Sequence, residues 1–362
     1  MKIGIISMHR VVNYGSFLQA FALMKYFEEL GHECHFIDIQ DENGTFDYVE
    51  TYEPKGYWYK SIYRRIKYPM TSRLFVEREF LFKKKLWKIL KLNEQYQADF
   101  NCDIIVIGSD EIFNICQDSA WGHSLYLFGK GARENQKIIS YAASFGFTTK
   151  VMLEQSGMYD AVKKYLNRFS SISVRDKNSM DLAEEVYDGH VVKNIDPVLF
   201  YDFEKYIPKK TKFKDYVAIY GYDNRFNNLE LIEKIQSFAH ERGLKTIALG
   251  MQQDWCDINY LPEPFELLGL IKGASFVVTD TFHGTIFSIK FQKQFVSIVR
   301  ESNYQKLSDL LNTFKLENRR LNNINQLEEV LVSEYDKELV KKRIEEERRY
   351  TRAYFEEHLS VK

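Results

Sequence analysis

Short apolar runs alternate with amphipathic stretches from the first residues of the chain. Lys2–Ser7 is an apolar run, and Phe17–Leu30 carries apolar side chains at helical spacing. Gly31 follows where a helix C′ residue belongs, and Cys34–Ile39 is a second apolar run. A strand, a helix and a second strand in this order predict a β-α-β unit with a parallel sheet.

Three further apolar runs, each ending at a polar or glycine-containing turn, continue the pattern at Asp103–Ile107, Lys137–Tyr141 and Ser171–Val174. Continuous apolar strands are typical of a sheet that is buried on both faces. Ligands of such sheets collect at the carboxyl ends of the strands. The turns therefore supply candidate binding residues, which are Ser109, Asp110, Ser144 and Phe145.

A second set of strands and helices follows the basic segment Tyr206–Asp215. Its strands are predicted at Tyr216–Tyr220, Thr246–Leu249, Ser275–Val278 and Phe295–Val299. We therefore expect two α/β domains, 1–205 and 206–325, whose parallel sheets face a cleft.

From residue 326 to 362 the chain is mostly charged, and Leu331, Tyr335, Leu339 and Ile344 are spaced as one helical stripe. We expect one or two helices there that pack across the domains.

Composition excludes several classes of protein. Of the 362 residues, 45% are hydrophobic, and the net charge is −1, which argues against a disordered chain and gives no case for nucleic acid as partner. No apolar run approaches the length of a membrane span, and no signal-peptide core is visible. Four cysteines without a CxxC pair indicate reduced thiols, so we expect a cytoplasmic protein.

The net charge of −1 is a sum over the whole chain, and it includes a basic, aromatic insertion at about 45–95. Its part from 55 to 91 holds 12 lysines and arginines but only two acids, Glu77 and Glu79. One interpretation is a helical insertion with a solvated basic face. The other is a surface for an anionic partner, such as a lipid-linked pyrophosphate or the inner face of a membrane, where contact would be peripheral.

His283 and Arg175 are the strongest candidates for chemistry. His283 follows an apolar strand at the predicted start of a helix, where the helix dipole favours an anion, and histidine suits proton transfer near neutral pH. The alternative is a packed or capping histidine. Arg175 ends a strand, where its guanidinium can grip a carboxylate or phosphate. The alternative is an ion pair with Asp176 or another nearby acid.

Arg10 and the turn Asn13-Tyr14-Gly15-Ser16 lie between the first strand and the first helix. Ser16 is the better N-cap candidate in this turn. The turn lacks the GxGxxG pattern of dinucleotide sites, and the chain has no GxxxxGK[ST] phosphate loop.

Six segments, taken together and in order, resemble the polysaccharide pyruvyl transferase family. They are NYGSFLQAFAL (Asn13–Leu23), IGSDEIFN (Ile107–Asn114), SYAASFG (Ser140–Gly146), SVRD (Ser173–Asp176), DPVLF (Asp196–Phe200) and TDTFHGTIFSIKF (Thr279–Phe291).

The resemblance implies an α/β fold of two Rossmann-like domains in a GT-B-like pair. It also implies transfer of a pyruvyl group from phosphoenolpyruvate to a sugar or lipid-linked oligosaccharide of a bacterial surface polysaccharide. His283 matches the family's histidine and would act as acid, and Arg175 matches its SVRD arginine. No metal or cofactor is implied beyond the donor substrate. Further substrate contacts are expected at the turns above and at Thr281, Gly284, Thr285 and Lys306.

One position departs from the family pattern. Well-known members carry arginine two residues before the histidine, whereas this chain has Thr281, which is uncharged. If that arginine holds phosphate in relatives, another cation must substitute for it here, and Arg10, Arg300 and Lys306 are the candidates.

Two alternative functions remain open. A glycosyltransferase of the GT-B type would bind a nucleotide sugar in the second domain. No clear acidic ribose clamp is visible there, although Glu263 and Glu266 are available by residue type. A non-catalytic binding protein on the same scaffold would explain the missing arginine at position 281.

Overall fold

The computed structural model describes residues 1–39, 69–116, 124–300 and 303–359. The chain divides into two compact units. The first unit comprises Met1–Trp58, Glu79–Tyr201 and Glu347–Lys362, and the second comprises Tyr59–Arg78 and Asp202–Glu346.

A six-stranded parallel sheet forms the centre of the first unit, with strand order β2-β1-β3-β4-β5-β6. The strands are β1 (Lys2–Ile6), β2 (Glu33–Phe36), β3 (Ile104–Asp110), β4 (Lys137–Ala143), β5 (Ile172–Val174) and β6 (Val191–Lys193). Strand β1 lies between β2 and β3, pairing Ile3 with Cys34 and with Ile104. The order of strands therefore reverses between β1 and β3, which is the switch point where ligands bind in open α/β sheets.

The described helices that follow these strands are numbered in chain order. They are α1 (Tyr14–Glu29), α2 (Pro69–Leu81, shared with the second unit), α3 (Lys150–Gln155), α4 (Tyr159–Leu166), α5 (Lys177–Val186) and α6 (Pro197–Phe200). The inner strands are buried on both faces, as the continuous apolar runs predict, whereas the edge strand β6 exposes Lys193.

The first helix begins earlier than its periodicity predicts. Asn13, not Ser16, is the N-cap, and its side chain accepts hydrogen bonds from the amides of Gly15 and Ser16. The prediction of Ser16 was wrong because both residue types cap helices, and the hydroxyl of Ser16 is bonded to Asp110 instead. Tyr14 and Phe17 are consequently inside the helix and fully buried.

A five-stranded parallel sheet forms the centre of the second unit, with strand order β11-β10-β7-β8-β9. The strands are β7 (Tyr216–Tyr220), β8 (Lys245–Leu249), β9 (Ile258–Tyr260), β10 (Phe276–Thr279) and β11 (Phe295–Ser297). Its helices are α7 (Leu229–Glu241), α8 (Pro264–Gly273), α9 (Phe282–Lys290), α10 (Tyr304–Thr313) and α11 (Leu327–Val332). Strand β7 pairs with β8 on one side and β10 on the other, so the switch point lies between β7 and β10.

The C-terminal stripe is two helices rather than one. Helix α11 ends at Val332, and α12 (Lys337–Leu359) begins after a loop that holds Tyr335. Because the loop breaks the helical phase, Leu339 is exposed and its neighbour Val340 is buried instead. In the first unit, the last turns of α12 bury Tyr354 and Phe355, and the Tyr354 hydroxyl donates to the Ser140 carbonyl at 2.7 Å.

The part of the basic insertion that the structure describes, from residue 69 onward, packs partly into the first unit. Helix α2 continues as a π-helical turn (Phe82–Leu86) and a last α turn (Trp87–Ile89). Phe82, Leu86 and Leu90 are buried in the first unit, so this stretch is not simply a solvated face. Residues 40–68 of the insertion lie outside the described residues.

The predicted fold class is confirmed as two parallel-sheet α/β units. The cleft and the GT-B arrangement of the two units stay predictions. Among the described helices, none combines the length and the apolar character that crossing a bilayer requires.

Candidate active site

Ionisable side chains meet at the switch point of the first unit. The Ser16 hydroxyl donates to Asp110 Oδ2 at 2.7 Å, and Arg175 Nη2 donates to Asp110 Oδ1 at 3.1 Å. Arg175 Nη1 also donates to Asp196 Oδ2 at 2.8 Å. Three segments that the sequence singled out, at the ends of β1, β3 and β5, are thus joined by one chain of hydrogen bonds.

Arg175 is buried, and two carboxylates balance its charge. Burial alone would lower the pKa of Arg175, but the charges of Asp110 and Asp196 outweigh it and raise the pKa. The partner considered from sequence, Asp176, instead caps α5 by accepting from the Ser179 amide. The guanidinium is therefore arranged to hold Asp110, which keeps partial access to solvent.

The other predicted residues of this unit's edge are engaged in the fold. The Ser109 hydroxyl donates to the Ala142 carbonyl at 2.9 Å, and the Ser144 hydroxyl donates to Asp176 at 2.6 Å. Phe145 packs against Phe113 with 5.2 Å between ring centroids. All three predicted residues are fully buried, and their part in substrate binding stays a prediction.

Arg10 lies in a separate buried cluster. It is ion-paired with Asp38, which also contacts His9 Nε2 at 3.1 Å. The guanidinium carbon lies 4.7 Å from the Trp87 ring and 4.6 Å from the Tyr96 ring. Burial alone would raise the pKa of Asp38, but the hydrogen bonds and charges of His9 and Arg10 outweigh it and lower the pKa. Arg10 is thus neutralised, which weakens its candidacy as the substitute cation.

His283 lies in the first turn of α9, next to the switch point of the second unit. Thr281 is the N-cap of this helix, and its hydroxyl accepts from the Gly284 amide at 2.9 Å. The Thr285 hydroxyl lies 3.0 Å from Ser297 Oγ and is buried. A β-carbon on Gly284 would lie 2.0 Å from Thr279 Oγ1, so glycine permits the close packing of helix on strand that positions His283.

Two arginines converge on Asp280, directly before this helix. Arg300 Nε donates to Asp280 Oδ2 at 2.8 Å, and Arg225 Nε lies 3.6 Å from the same oxygen. Burial raises the pKa of Asp280 although both guanidinium charges oppose the shift. Lys306, the third candidate cation, lies with its Nζ 5.9 Å from the centre of the Phe282 ring.

Sequence reasoning missed Arg225. Its only sequence signal is its place five residues after a predicted strand, and many loop residues share that signal. Glu263 and Glu266, considered for a ribose site, form a capping box at the start of α8. In the ranges the structure describes, no group of three or more histidine, cysteine or acidic side chains is arranged to hold a metal ion.

Two parallel-sheet α/β units with ionisable side chains at the carboxyl edges are typical of α/β enzymes. The sequence model of the family described as polysaccharide pyruvyl transferase matches residues 13–302. The match covers most of the chain, which therefore belongs to the polysaccharide pyruvyl transferase family and is a transferase. No curated protein matches the sequence.

Solved structures similar to the chain include several glycosyltransferases. The spinosyn rhamnosyltransferase SpnG is 10% identical, with 98% of this chain and 99% of that chain covered and a TM-score of 0.47. SnogD from Streptomyces nogalater is 11% identical, with 98% of both chains covered and a TM-score of 0.47. A putative UDP-N-acetylglucosamine 2-epimerase from Listeria monocytogenes is 10% identical, with 99% and 97% covered and the same TM-score. Similarity at this level carries no argument about activity.

Proposed function

We propose that the protein transfers a pyruvyl group from phosphoenolpyruvate to two hydroxyls of a sugar, forming a cyclic ketal in a surface polysaccharide or its lipid-linked precursor. The observation that carries the proposal is His283, held in the first turn of α9 at the switch point of a parallel sheet, in a chain of this family. A histidine there is suited to donate a proton beside an anionic substrate.

The reaction balances with one acid and one base. The imidazolium of His283 gives its proton to the methylene carbon of phosphoenolpyruvate, which becomes a methyl group and leaves an oxocarbenium-like carbon. One sugar hydroxyl attacks this carbon and loses its proton. The second hydroxyl attacks as the phosphate group departs, and its proton leaves with the phosphate. The proposal needs no metal or cofactor because proton transfer and phosphate departure supply the steps.

In the first unit, we propose Asp110 as the side chain that binds a sugar hydroxyl. It follows the strand at the first unit's switch point and is partly accessible, and its two oxygens are oriented by Ser16 and Arg175. A carboxylate accepts the proton that the hydroxyl loses. Arg175, whose own charge is balanced by two acids, then acts through Asp110 as a positioning residue.

The test is phosphate release from phosphoenolpyruvate in the presence of a panel of nitrophenyl and lipid-linked sugars. We expect turnover by the wild type, loss of activity in His283→Ala, and unchanged activity in His240→Ala, an exposed histidine of the same unit that pairs with Asp257. If His283→Ala released phosphate as fast as the wild type, its role as acid would be wrong. Tight binding of nucleotide diphosphates with no binding of phosphoenolpyruvate would favour the glycosyltransferase alternative.

We also propose a cytoplasmic protein with a peripheral contact to the inner membrane face through the insertion. Phe75, Val76 and Phe80 of α2 are exposed, and they are followed by exposed Lys84 and Lys88. Apolar side chains beside lysines suit the interface of an anionic bilayer. Co-sedimentation with phosphatidylglycerol vesicles should fall in Phe80→Ser but not in Tyr350→Ser, an exposed aromatic of α12. Binding that ignores anionic lipid and salt would contradict this proposal.

A further inference from the structure

The carboxyl ends of three adjacent strands bring two arginines together in the second unit. Strands β11, β10 and β7 are neighbours in its sheet, and the segments that follow them carry Arg300, Asp280 and Arg225. Besides its bond to Asp280, Arg300 donates from Nη2 to the Arg225 carbonyl at 2.9 Å. The second arginine is thus held by the first, although 75 residues separate them in sequence.

The charges of this cluster do not cancel. Among the described residues, two guanidinium groups pair with one carboxylate, Asp280, which is fully buried, whereas the side chains of Arg225 and Arg300 are 33% and 30% exposed. The excess positive charge therefore faces solvent at the carboxyl edge of the sheet. The N-terminus of α9, whose dipole also favours an anion, begins two residues after Asp280.

Several donors of the two guanidinium groups remain. Arg300 uses Nε and Nη2 in the bonds above, and Arg225 contacts Asp280 through Nε and the Tyr222 ring at 5.0 Å. Within the described part of the chain, Arg300 Nη1 and both terminal nitrogens of Arg225 make no further hydrogen bond. A guanidinium group with free donors can form two parallel hydrogen bonds to the oxygens of one phosphate group.

We propose that Arg225 and Arg300 bind the phosphate group of the donor substrate and so replace the arginine that the family pattern carries where this chain has Thr281. The site takes a phosphate monoester. That the bound phosphate group belongs to the donor substrate rests on the proposed function, whereas the binding of phosphate itself does not.

Asp280 and Gly221 position the pair. Asp280 accepts a hydrogen bond from Arg300, is ion-paired with Arg225 and is fully buried, and the Asn303 side-chain amide donates to its carbonyl at 2.9 Å. A β-carbon on Gly221 would lie 2.8 Å from Asp280 Oδ1 and 2.3 Å from the Phe226 ring. Glycine at position 221 therefore allows the backbone to lie close to the carboxylate that pairs with the two arginines.

The experiment measures binding of inorganic phosphate and of phosphoenolpyruvate by calorimetry at low salt. Arg225→Gln and Arg300→Gln are each expected to weaken phosphate binding about tenfold, the loss of a charge-assisted interaction. Arg300→Lys keeps the positive charge next to Asp280 but loses the planar set of guanidinium donors. Its affinity for phosphate should therefore lie between those of the wild type and Arg300→Gln. Arg242→Gln is the matched control, since this arginine of α7 is 31% exposed and pairs with Glu328. Melting temperatures establish that each variant is folded.

The outcomes separate the site from the proposed function. Weaker phosphate binding in Arg225→Gln and Arg300→Gln, with the control unchanged, supports the site even if no sugar is pyruvylated. Wild-type phosphate affinity in both folded variants overturns the site, even if pyruvyl transfer is demonstrated. A wild type that binds no phosphate at all overturns it as well.

Discussion

Ser16 and Asp110 hold the two sides of the first unit's switch point together through a hydrogen bond of 2.7 Å from hydroxyl to carboxylate. Ser16 belongs to the first turn of α1, and Asp110 ends β3, where its φ of 74° lies in the left-handed region. A non-glycine residue in that uncommon backbone conformation persists only where its surroundings hold it, and here Ser16 and Arg175 hold the Asp110 carboxylate. The orientation of the carboxylate is thus set before any substrate binds.

The first prediction concerns this carboxylate. Asp110→Asn should lower kcat by about 10²–10⁴-fold because it removes the proton acceptor, and Ser16→Ala should lower kcat about tenfold by releasing one oxygen. The KM for phosphoenolpyruvate should stay near the wild-type value in both variants. Ser156→Ala, which removes an exposed hydroxyl bonded to the Leu153 carbonyl, is the control. Full activity of Asp110→Asn would show that another group takes the proton.

The second prediction concerns stability in acid. The pKa of Asp38 is lowered in the folded state, so its contribution is present above its unfolded pKa of about 3.9 and is lost as pH falls below that value. Asp38→Asn should destabilise the first unit by about 3–5 kcal/mol at pH 7, because it leaves Arg10 buried without its carboxylate. The gap from wild type should narrow below pH 4.

Urea melts between pH 7 and pH 3 measure this difference. Asp160→Asn, at an exposed position in α4, is the control and should track the wild type throughout. A gap between Asp38→Asn and wild type that stays constant over this range would contradict the assignment of the ion pair.

The third prediction concerns the packing of α9 on its strand. In Gly284→Ala the new methyl group would meet Thr279 Oγ1 and Thr281 Oγ1, so the helix must shift, at a cost of about 1–3 kcal/mol. Because His283 precedes this residue, activity should fall more than stability explains. Gly273→Ala in α8 meets only ordinary contacts of 3.4–3.5 Å and should be nearly neutral. Equal melting temperatures for the two variants would contradict the prediction.

The fourth prediction concerns the end of α12. Phe355 is buried in the first unit, 5.1 Å from Phe27 and 4.6 Å from Tyr141 between ring centroids. Phe355→Ala should cost about 3–5 kcal/mol of stability because it leaves a cavity among aromatic rings. Tyr350→Ala, on an exposed part of the same helix, should cost little. The free energies of unfolding from denaturant titration compare the two.

Sequence reasoning predicted the elements of this protein better than its site. The central strands were readable because they are buried on both faces, which forces continuous apolar runs such as Ile104–Ile107. The edge strands β6 and β9, whose residues are partly exposed, were not predicted. The convergence of Arg225 on Asp280 was not readable, because it depends on β10 pairing with β7, a neighbour that lies far away in sequence. The position of Arg175 at the end of a strand was predicted in the same way. Its two ion-pair partners were not, because both acids lie after other strands of the sheet.

The contribution of Glu347–Lys362 to the first unit bears on how the chain is made. A ribosome synthesises the six strands of that unit before Asp202–Glu346 of the second unit, yet the contacts of Tyr141 and Phe27 with Phe355 form only after α12 is made. Since domains usually fold in order of synthesis, the nascent first unit must keep an aromatic surface open while about 150 further residues are added. Most of the first unit is synthesised before most of the second, but its aromatic core is complete only once α12 has packed onto it.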